Sequence, residues 1–492
     1  MRSKNIITII ISVVIVALIF DISYARTFEL IFHSNNLNLN VLLFVIVSSV
    51  CIIGQYYILE FIKMKKVMWG DNTNNILKVN LRQIVTVIQY FLAAIILVVI
   101  FQITILSQYT VSLLIISSTI SYILSIILIS LLTSKFFFWF KSDKNFVVFL
   151  YGFASAILVI NLCITFIFTE SILFGKPPQL GPHFGTGGFT PESGSNLSII
   201  EDLYIITSIG SFLILWFATV MFLFPHKHHN DEGKKRSISK YLVISFIPLM
   251  YFLSQFILLF LNIFSPLINE IPIQLGIILT LVFLLSKPIG GILFGAVFFL
   301  LRRDLPDKSP AKDYLIISSF GMVILFVVNQ GVTLSNALYP PFGLVTVSLL
   351  GLASYMFLVG LYSSAISSAQ DRNLRRIMKN SVMDQSKLLT SLGYAEMERQ
   401  IENKVSKIAK NKKIMLESKT DISLSFGDEE IKRYLDFLIN EMSNQRNSEA
   451  SVESERNIRL ECLKCKIIFP TKEDLIQHLK SNHIGNDHMD TS

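Results

Sequence analysis

Ten apolar runs decide what this chain can fold into. They lie near 5–24, 40–61, 84–107, 110–133, 146–169, 200–224, 241–264, 272–300, 313–332 and 342–366, and they fill most of residues 1–368. A run of about 18 or more apolar residues with few charges crosses a bilayer as a helix. Lipid offers no partner to backbone N–H and C=O groups, so the chain must pair them internally. Only 16% of the 492 residues are charged, and the mean hydropathy is +0.57. A soluble protein would carry about 25% charged residues. The expected fold is an all-α polytopic membrane protein with about ten transmembrane helices, and the lipid bilayer is its first partner. The first run ends in DISYAR and could pass for a signal peptide. Its apolar core, Ile6 to Phe20, is long for one, and no strong small-x-small site follows, so it is read as a retained span.

Loop charges orient the bundle. With the amino terminus inside, segments 1–4, 62–83, 134–145, 225–240 and 301–312 face the cytoplasm and carry nineteen Lys and Arg residues. The alternate segments 25–39, 108–109, 170–199, 265–271 and 333–341 carry two, Arg26 and Lys176. Basic residues stay on the cytoplasmic side, and one missed span would scramble the bias. The expectation is a cell-membrane protein with both termini cytoplasmic. The formal net charge of +8 is therefore a topology signal: residues 369–492 contribute only +1 of it. It does not form the concentrated basic patch of a nucleic-acid binder.

Residues 369–446 read as a helical cytoplasmic tail. The last span runs into SSAISSAQDRNLRRIMKNS with no Gly or Pro between, so its helix is expected to continue out of the bilayer. Tyr394, Met397, Ile401, Val405 and Ile408 then recur at helical steps as one apolar stripe, expected to pack against another part of the tail. GDEEIKRYLDFLINEM opens a further helix with Asp428, Glu429 and Glu430 in its first turn, where they oppose the macrodipole. Residues 447–459 are a polar, featureless linker, 460–484 a compact module, and 485–492 a disordered end.

The compact module has a specific pattern: Cys462-x2-Cys465-x12-His478-x4-His483, with Phe469 and Leu475 at intervening apolar positions. It resembles a two-cysteine, two-histidine zinc finger, a ββα unit. The resemblance implies one structural zinc ion held by Cys462, Cys465, His478 and His483, with Phe469 and Leu475 as the core. Two thiolates and two imidazoles complete a tetrahedral shell, and binding and folding are one equilibrium in so small a unit. The base-reading helix positions of that family would fall on Thr471, Asp474 and Gln477, with Glu473 beside them. Two carboxylates there repel phosphate, and one finger covers about three base pairs. Sequence-specific DNA binding is not expected; a cytoplasmic protein partner is. The membrane domain resembles uncharacterised archaeal multi-pass membrane proteins, a resemblance that no single motif carries.

One residue stands out within the bilayer. Lys287 lies near the middle of the eighth span, in LVFLLSKPIGGILFG, and no Asp or Glu lies at comparable depth in the other nine. A cation at that depth costs about 2.5–3.5 kcal/mol. Pro288 follows it and breaks the helical hydrogen-bond ladder, while Gly290 and Gly291 permit close approach by another backbone. Lys287 and Pro288 are therefore the candidate intramembrane site, with Asn161, Gln255, tyrosines, serines, water or an anion as possible partners for the cation. An alternative is that Lys287 snorkels along an aqueous crevice with a structural role.

Weaker signals remain. Residues 174–196 form a Gly- and Pro-rich outer loop punctuated by His183, Phe184 and Phe189, either a lid or a connector. Asn196-Leu197-Ser198 fits a glycosylation acceptor, a frequent accident. His226, His228 and His229 cluster in an inner loop with Asp231 and Glu232 and read as hydrated. No GxxxxGK[ST], GxGxxG, HExxH or GxSxG pattern occurs, so an enzyme is not expected. Two functional classes follow. One is a sensor or scaffold whose zinc-finger tail recruits a protein. The alternative is a secondary transporter with its path near Lys287 and a regulatory tail.

Overall fold

The computed structural model describes residues 2–25, 37–64, 75–181, 196–223, 245–254, 284–303, 309–330, 339–371 and 388–401 apart from 390, scattered positions 305, 334, 404, 405, 407 and 408, and the strand pairs 460–461 and 468–469. Two compact units divide the chain, Met1–Met397 and Glu398–Ser492.

The first unit is helical. Its elements are α1 (Arg2–Ser23), α2 (Leu37–Met64), α3 (Asn75–Leu106), α4 (Val111–Asp143), α5 (Phe146–Phe174), α6 (Asn196–Leu223), α7 (Ser245–Ser254), α8 (Ser286–Arg303), α9 (Ala311–Val328), α10 (Leu344–Ser348), α11 (Leu350–Gln370) and, as far as Met397, α12 (391–401). Among the described residues seven helical segments are long and apolar enough to cross a membrane: 38–64, 81–106, 111–142, 146–174, 199–222, 311–328 and 344–370. The expected first, seventh and eighth spans coincide with shorter described stretches, the apolar part of α1 at Thr8–Ser23, α7, and α8.

Local chemistry sets the helix ends. Between α4 and α5, Lys144 adopts a left-handed φ of 49°, and its N–H closes on Phe140 O at 2.7 Å. The Asn145 side chain then accepts from Val147 N at 3.0 Å, capping α5.

Serines and glycines locate the centre of the bundle. Every residue of α11 from Leu350 to Ala369 is buried. Toward α4, Ser354 Oγ meets Ser125 Oγ at 2.5 Å, and in α10, just before α11, Val347 O accepts from Ser121 Oγ at 2.5 Å. Toward α9 it is close-packed at Gly321, where an added Cβ would lie 2.6 Å from Phe357 N. Small residues let helix backbones approach, and that closeness supplies the packing energy lipid withholds. An aromatic cluster joins the next layer, with Phe212 of α6 stacked on Phe252 of α7 at 3.9 Å and edge-on to Phe294 of α8 at 5.1 Å.

Connecting segments gather at the two ends of the bundle. At one end Tyr109–Thr110 (β1) pairs antiparallel with Gln179–Leu180 (β2). There Tyr109 stacks on Tyr339 at 6.2 Å, and Tyr24 packs on Phe342 at 4.3 Å. At the other end of α4, Trp139 stacks on Tyr362 at 6.3 Å.

Two expectations for the last span and the tail are corrected. Instead of running on into the charged segment, α11 stops at Gln370, with Asp371 extended at φ −88° and ψ 104°. The tail's buried face is also not the expected stripe. Leu388, Leu389, Leu392 and Ala395 are buried, whereas Ile401, Val405 and Ile408 are exposed. These four precede or interleave the stripe, and just ahead of α12 Leu389 O accepts from Ser368 Oγ at 3.4 Å, within the first unit.

Candidate functional site

Lys287 sits in the first turn of α8. Pro288 follows it, still within that turn, where a missing N–H leaves no helical bond unmade. Residues 272–283 of the expected eighth span lie outside the described residues. Close approach at the adjacent glycines is as anticipated: a Cβ on Gly291 would stand 2.6 Å from Phe326 Cβ and 3.2 Å from Val323 O.

The ammonium's acceptors are a phenol and a helix end. Lys287 Nζ donates to Tyr204 Oη at 2.9 Å and to the backbone carbonyl of Asn329 at 3.2 Å. It also lies 5.0 Å from the Tyr204 ring centroid. Asn329 is the C-cap of α9, so its carbonyl belongs to the negative end of that helix dipole. A cation there is stabilised without a carboxylate, and among the described residues none lies within ion-pairing distance of Lys287. An ammonium has three donors; the third has no acceptor among the described residues.

A second layer fixes those acceptors. Asn329 Nδ2 donates to Asn161 Oδ1 at 3.2 Å, and Asn161 Nδ2 donates to Thr207 Oγ1 at 3.0 Å and to Tyr204 O at 3.3 Å. Gln330 Nε2 reaches Leu284 O at 3.1 Å, tying the end of α9 to the start of α8. Asn329 Oδ1 is buried without a hydrogen-bond partner. Four helices, α5, α6, α8 and α9, thus converge on one polar point that, among the described residues, holds an unspent donor and an unspent acceptor.

Asn161 belongs to this network two hydrogen bonds from Lys287, through Asn329, and a tyrosine is a direct partner. Gln255 lies outside the described residues. Asn329 was missed, although the change from LFVV to NQG marks a helix end inside an apolar run.

Sequence reasoning also missed three buried carboxylates. Asp21, fully buried, accepts from Gly343 N at 3.1 Å, Thr346 N at 3.2 Å and Thr346 Oγ1 at 2.6 Å, which caps the start of α10. Glu170 falls just past the expected end of the fifth span, but α5 continues to Phe174 and carries it inside. Its Oε1 accepts from Ser118 Oγ at 2.5 Å and Thr119 Oγ1 at 3.2 Å, and its Oε2 is buried with no partner. Glu396 of α12 is 3% exposed and accepts from Trp139 Nε1 and Tyr362 Oη, each at 3.5 Å. Lys135 lies 5.1 Å from the Tyr362 ring centroid beside it. At the opposite end of the bundle, burial pushes the phenols of Tyr109 and Tyr339 above their ordinary values.

The metal centre can be followed only in part. Leu460–Glu461 (β3) pairs antiparallel with Ile468–Phe469 (β4), in register Leu460 to Phe469. The hairpin thus brackets 462–467, the segment that carries Cys462 and Cys465. The four expected ligands, Cys462, Cys465, His478 and His483, lie outside the described residues, as does Leu475; so do the His226 cluster and most of the 174–196 loop. Among the described residues no three His, Cys, Asp or Glu side chains come together as a metal site.

No family model matches the chain, and no curated protein or solved structure resembles it. The geometry stands on its own.

Proposed function

We propose that this chain is a ten-span membrane sensor or scaffold. In this reading the polar point around Lys287 takes a small anion, and a cytoplasmic tail ending in a zinc-stabilised finger recruits a protein partner. The observation that carries the reading is the seating of α12. A carboxylate on the tail's first helix is buried between Trp139 of α4 and Tyr362 of α11, so the tail begins as part of the bundle's packing. A shift of α4 against α11 would change that seat. Transport by itself needs no such fixture.

The orientation has support of its own. Segments near Tyr24, Tyr109, Gln179 and Tyr339, all assigned outside by loop charge, meet at one end. Trp139 and Glu396, assigned inside, meet at the other. In the finger, the β3–β4 hairpin fits the ββα unit, and Cys462, Cys465, His478 and His483 would hold zinc, which supplies the folding energy when bound.

The unspent Lys287 donor and the orphaned Asn329 Oδ1 together favour an anion that also carries an O–H or N–H group. Thermal unfolding of the purified protein tests this with lactate and glycolate against donor-free acetate. Lactate or glycolate is expected to raise the melting temperature of the wild type and leave Lys287→Met unmoved. Equal shifts in both proteins would remove Lys287 from the site.

The transporter reading rests on one specific feature: Lys287 stands where the start of α8 meets the end of α9, and such helix ends commonly hold substrates in transporters. Truncation after Lys404 separates the two readings, because it leaves α12 seated. A transporter so truncated still moves solute into proteoliposomes. A sensor keeps its ligand response and loses partner recruitment.

A further inference from the structure

A second site lies away from Lys287, where the end of α2 faces the start of α3. There Leu59, Glu60 and Lys63 of α2 and Arg82, Thr86 and Tyr90 of α3 line a groove of about 310 Å³, floored by Tyr355 of α11. That volume falls within the range of about 300–1,000 Å³ usual for small-molecule sites.

Three features define its occupant. The first is charge. Arg82 has no side-chain partner among the described residues, and Lys63 has only the exposed Glu60, at 3.4 Å. An exposed pair of this kind is weak and readily exchanges its partner. Glu60 offsets one of the two cations, which leaves the groove net positive.

The second is an orphan at the floor. Tyr355 is 1% exposed, its hydroxyl has no hydrogen-bond partner, and Arg82 lies within electrostatic reach of it. A buried hydroxyl is normally paired. An acceptor entering the groove would pair it.

The third is the mouth. Ile84, Val87 and Tyr90 are exposed along α3 on a helix that reads as spanning, so the groove opens toward lipid acyl chains and not only toward water. By the loop charges this end faces the cytoplasmic leaflet, where anionic lipids draw basic residues.

We propose that this groove is a binding site for an anionic glycerophospholipid: its phosphate sits between Arg82 and Lys63, an ester or phosphate oxygen accepts from Tyr355 Oη, and an acyl chain lies along Val87 and Tyr90. The site is independent of the Lys287 reading. An occupant there would bridge α2 and α3 to the central helix.

The test is native mass spectrometry of the full-length protein in detergent, titrated with phosphatidylglycerol, phosphatidylcholine and inorganic phosphate. Wild-type protein is expected to retain phosphatidylglycerol about tenfold more tightly than phosphatidylcholine, and millimolar phosphate is expected not to compete. Arg82→Gln should erase most of that preference, and Tyr355→Phe should weaken retention of both lipids by about threefold. Size exclusion checks that each variant is folded. Should Arg82→Gln aggregate, Lys63→Gln alters an exposed side chain and should weaken the preference in the same direction. Equal retention of the two lipids, or an unchanged preference in a folded Arg82→Gln or Lys63→Gln protein, overturns the site. Competition by free phosphate as effective as the lipid's overturns the lipid assignment in favour of a soluble anion.

Discussion

The most apolar stretches within residues 344–370 and 38–64 have nearly the same mean hydropathy, 2.1 and 2.2, yet the first stretch is 100% buried and the second 39%. By mean hydropathy the two stretches are interchangeable; by position they are opposites. The first is the axis of the bundle and the second its rim. In water, apolar character tells inside from outside. In lipid it does not, because the tails are as apolar as leucine. What separates the two is the small and polar side chains: α11 carries Gly351, Ser354, Gly360, Ser363, Ser364, Ser367 and Ser368, all buried, whereas α2 exposes Ile46 and Ile53.

The contrast breaks most readily at Gly321. Leucine there would drive its Cβ into the backbone of α11 at Phe357. Overpacking costs about 1–3 kcal/mol where neighbours can shift; backbone cannot, so the loss should reach the top of that range or exceed it. Size exclusion should show little folded protein, and an intact, wild-type melting curve would mean that α9 and α11 are not in contact.

Asp21→Asn comes next. Asparagine offers one acceptor where Asp21 uses both oxygens, and its amide would face a backbone N–H of α10. Bonds to a charged group are worth about 1.5–3 kcal/mol each. A fall in melting temperature of several degrees is expected, and none at all would detach α1 from the axis.

Ser354→Ala is smaller. It removes one interhelical bond to Ser125, and such bonds in membranes average about 0.6 kcal/mol. Chemical unfolding in mixed micelles resolves that difference; a loss above about 2 kcal/mol would mean a larger hydrogen-bonded network than the pair.

Ile53→Ala, on the rim, should cost least, within about 0.5 kcal/mol. A core-sized loss there would place α2 inside.

The same physics explains what was readable from the residues. Spans follow from apolar length, so the main helices emerged in place. Ends did not: Glu170 terminated the fifth span on paper, although a hydrogen-bonded carboxylate rides inside α5 for one further turn. Lys287 was conspicuous because its charge is expensive in lipid, and a tyrosine was among its expected partners. Its other acceptor was not legible, because a backbone carbonyl at the end of α9 has no side-chain signature. The seat of α12 was misread for a related reason. A 3.6-residue stripe marks an amphipathic helix without saying which neighbour covers it, and here Leu389, Leu392 and Glu396 are covered while Ile408 is not.

The central claim is that one helix is enclosed by protein on every side while its equally apolar neighbours meet lipid. Photolabelling with a diazirine-tailed phospholipid, read residue by residue by mass spectrometry, tests it most directly. Label is expected on Ile46, Ile53, Val87 and Leu97, which are exposed, and absent from Leu350 through Ala369. Labelling of that central stretch at the level of the rim would contradict the account.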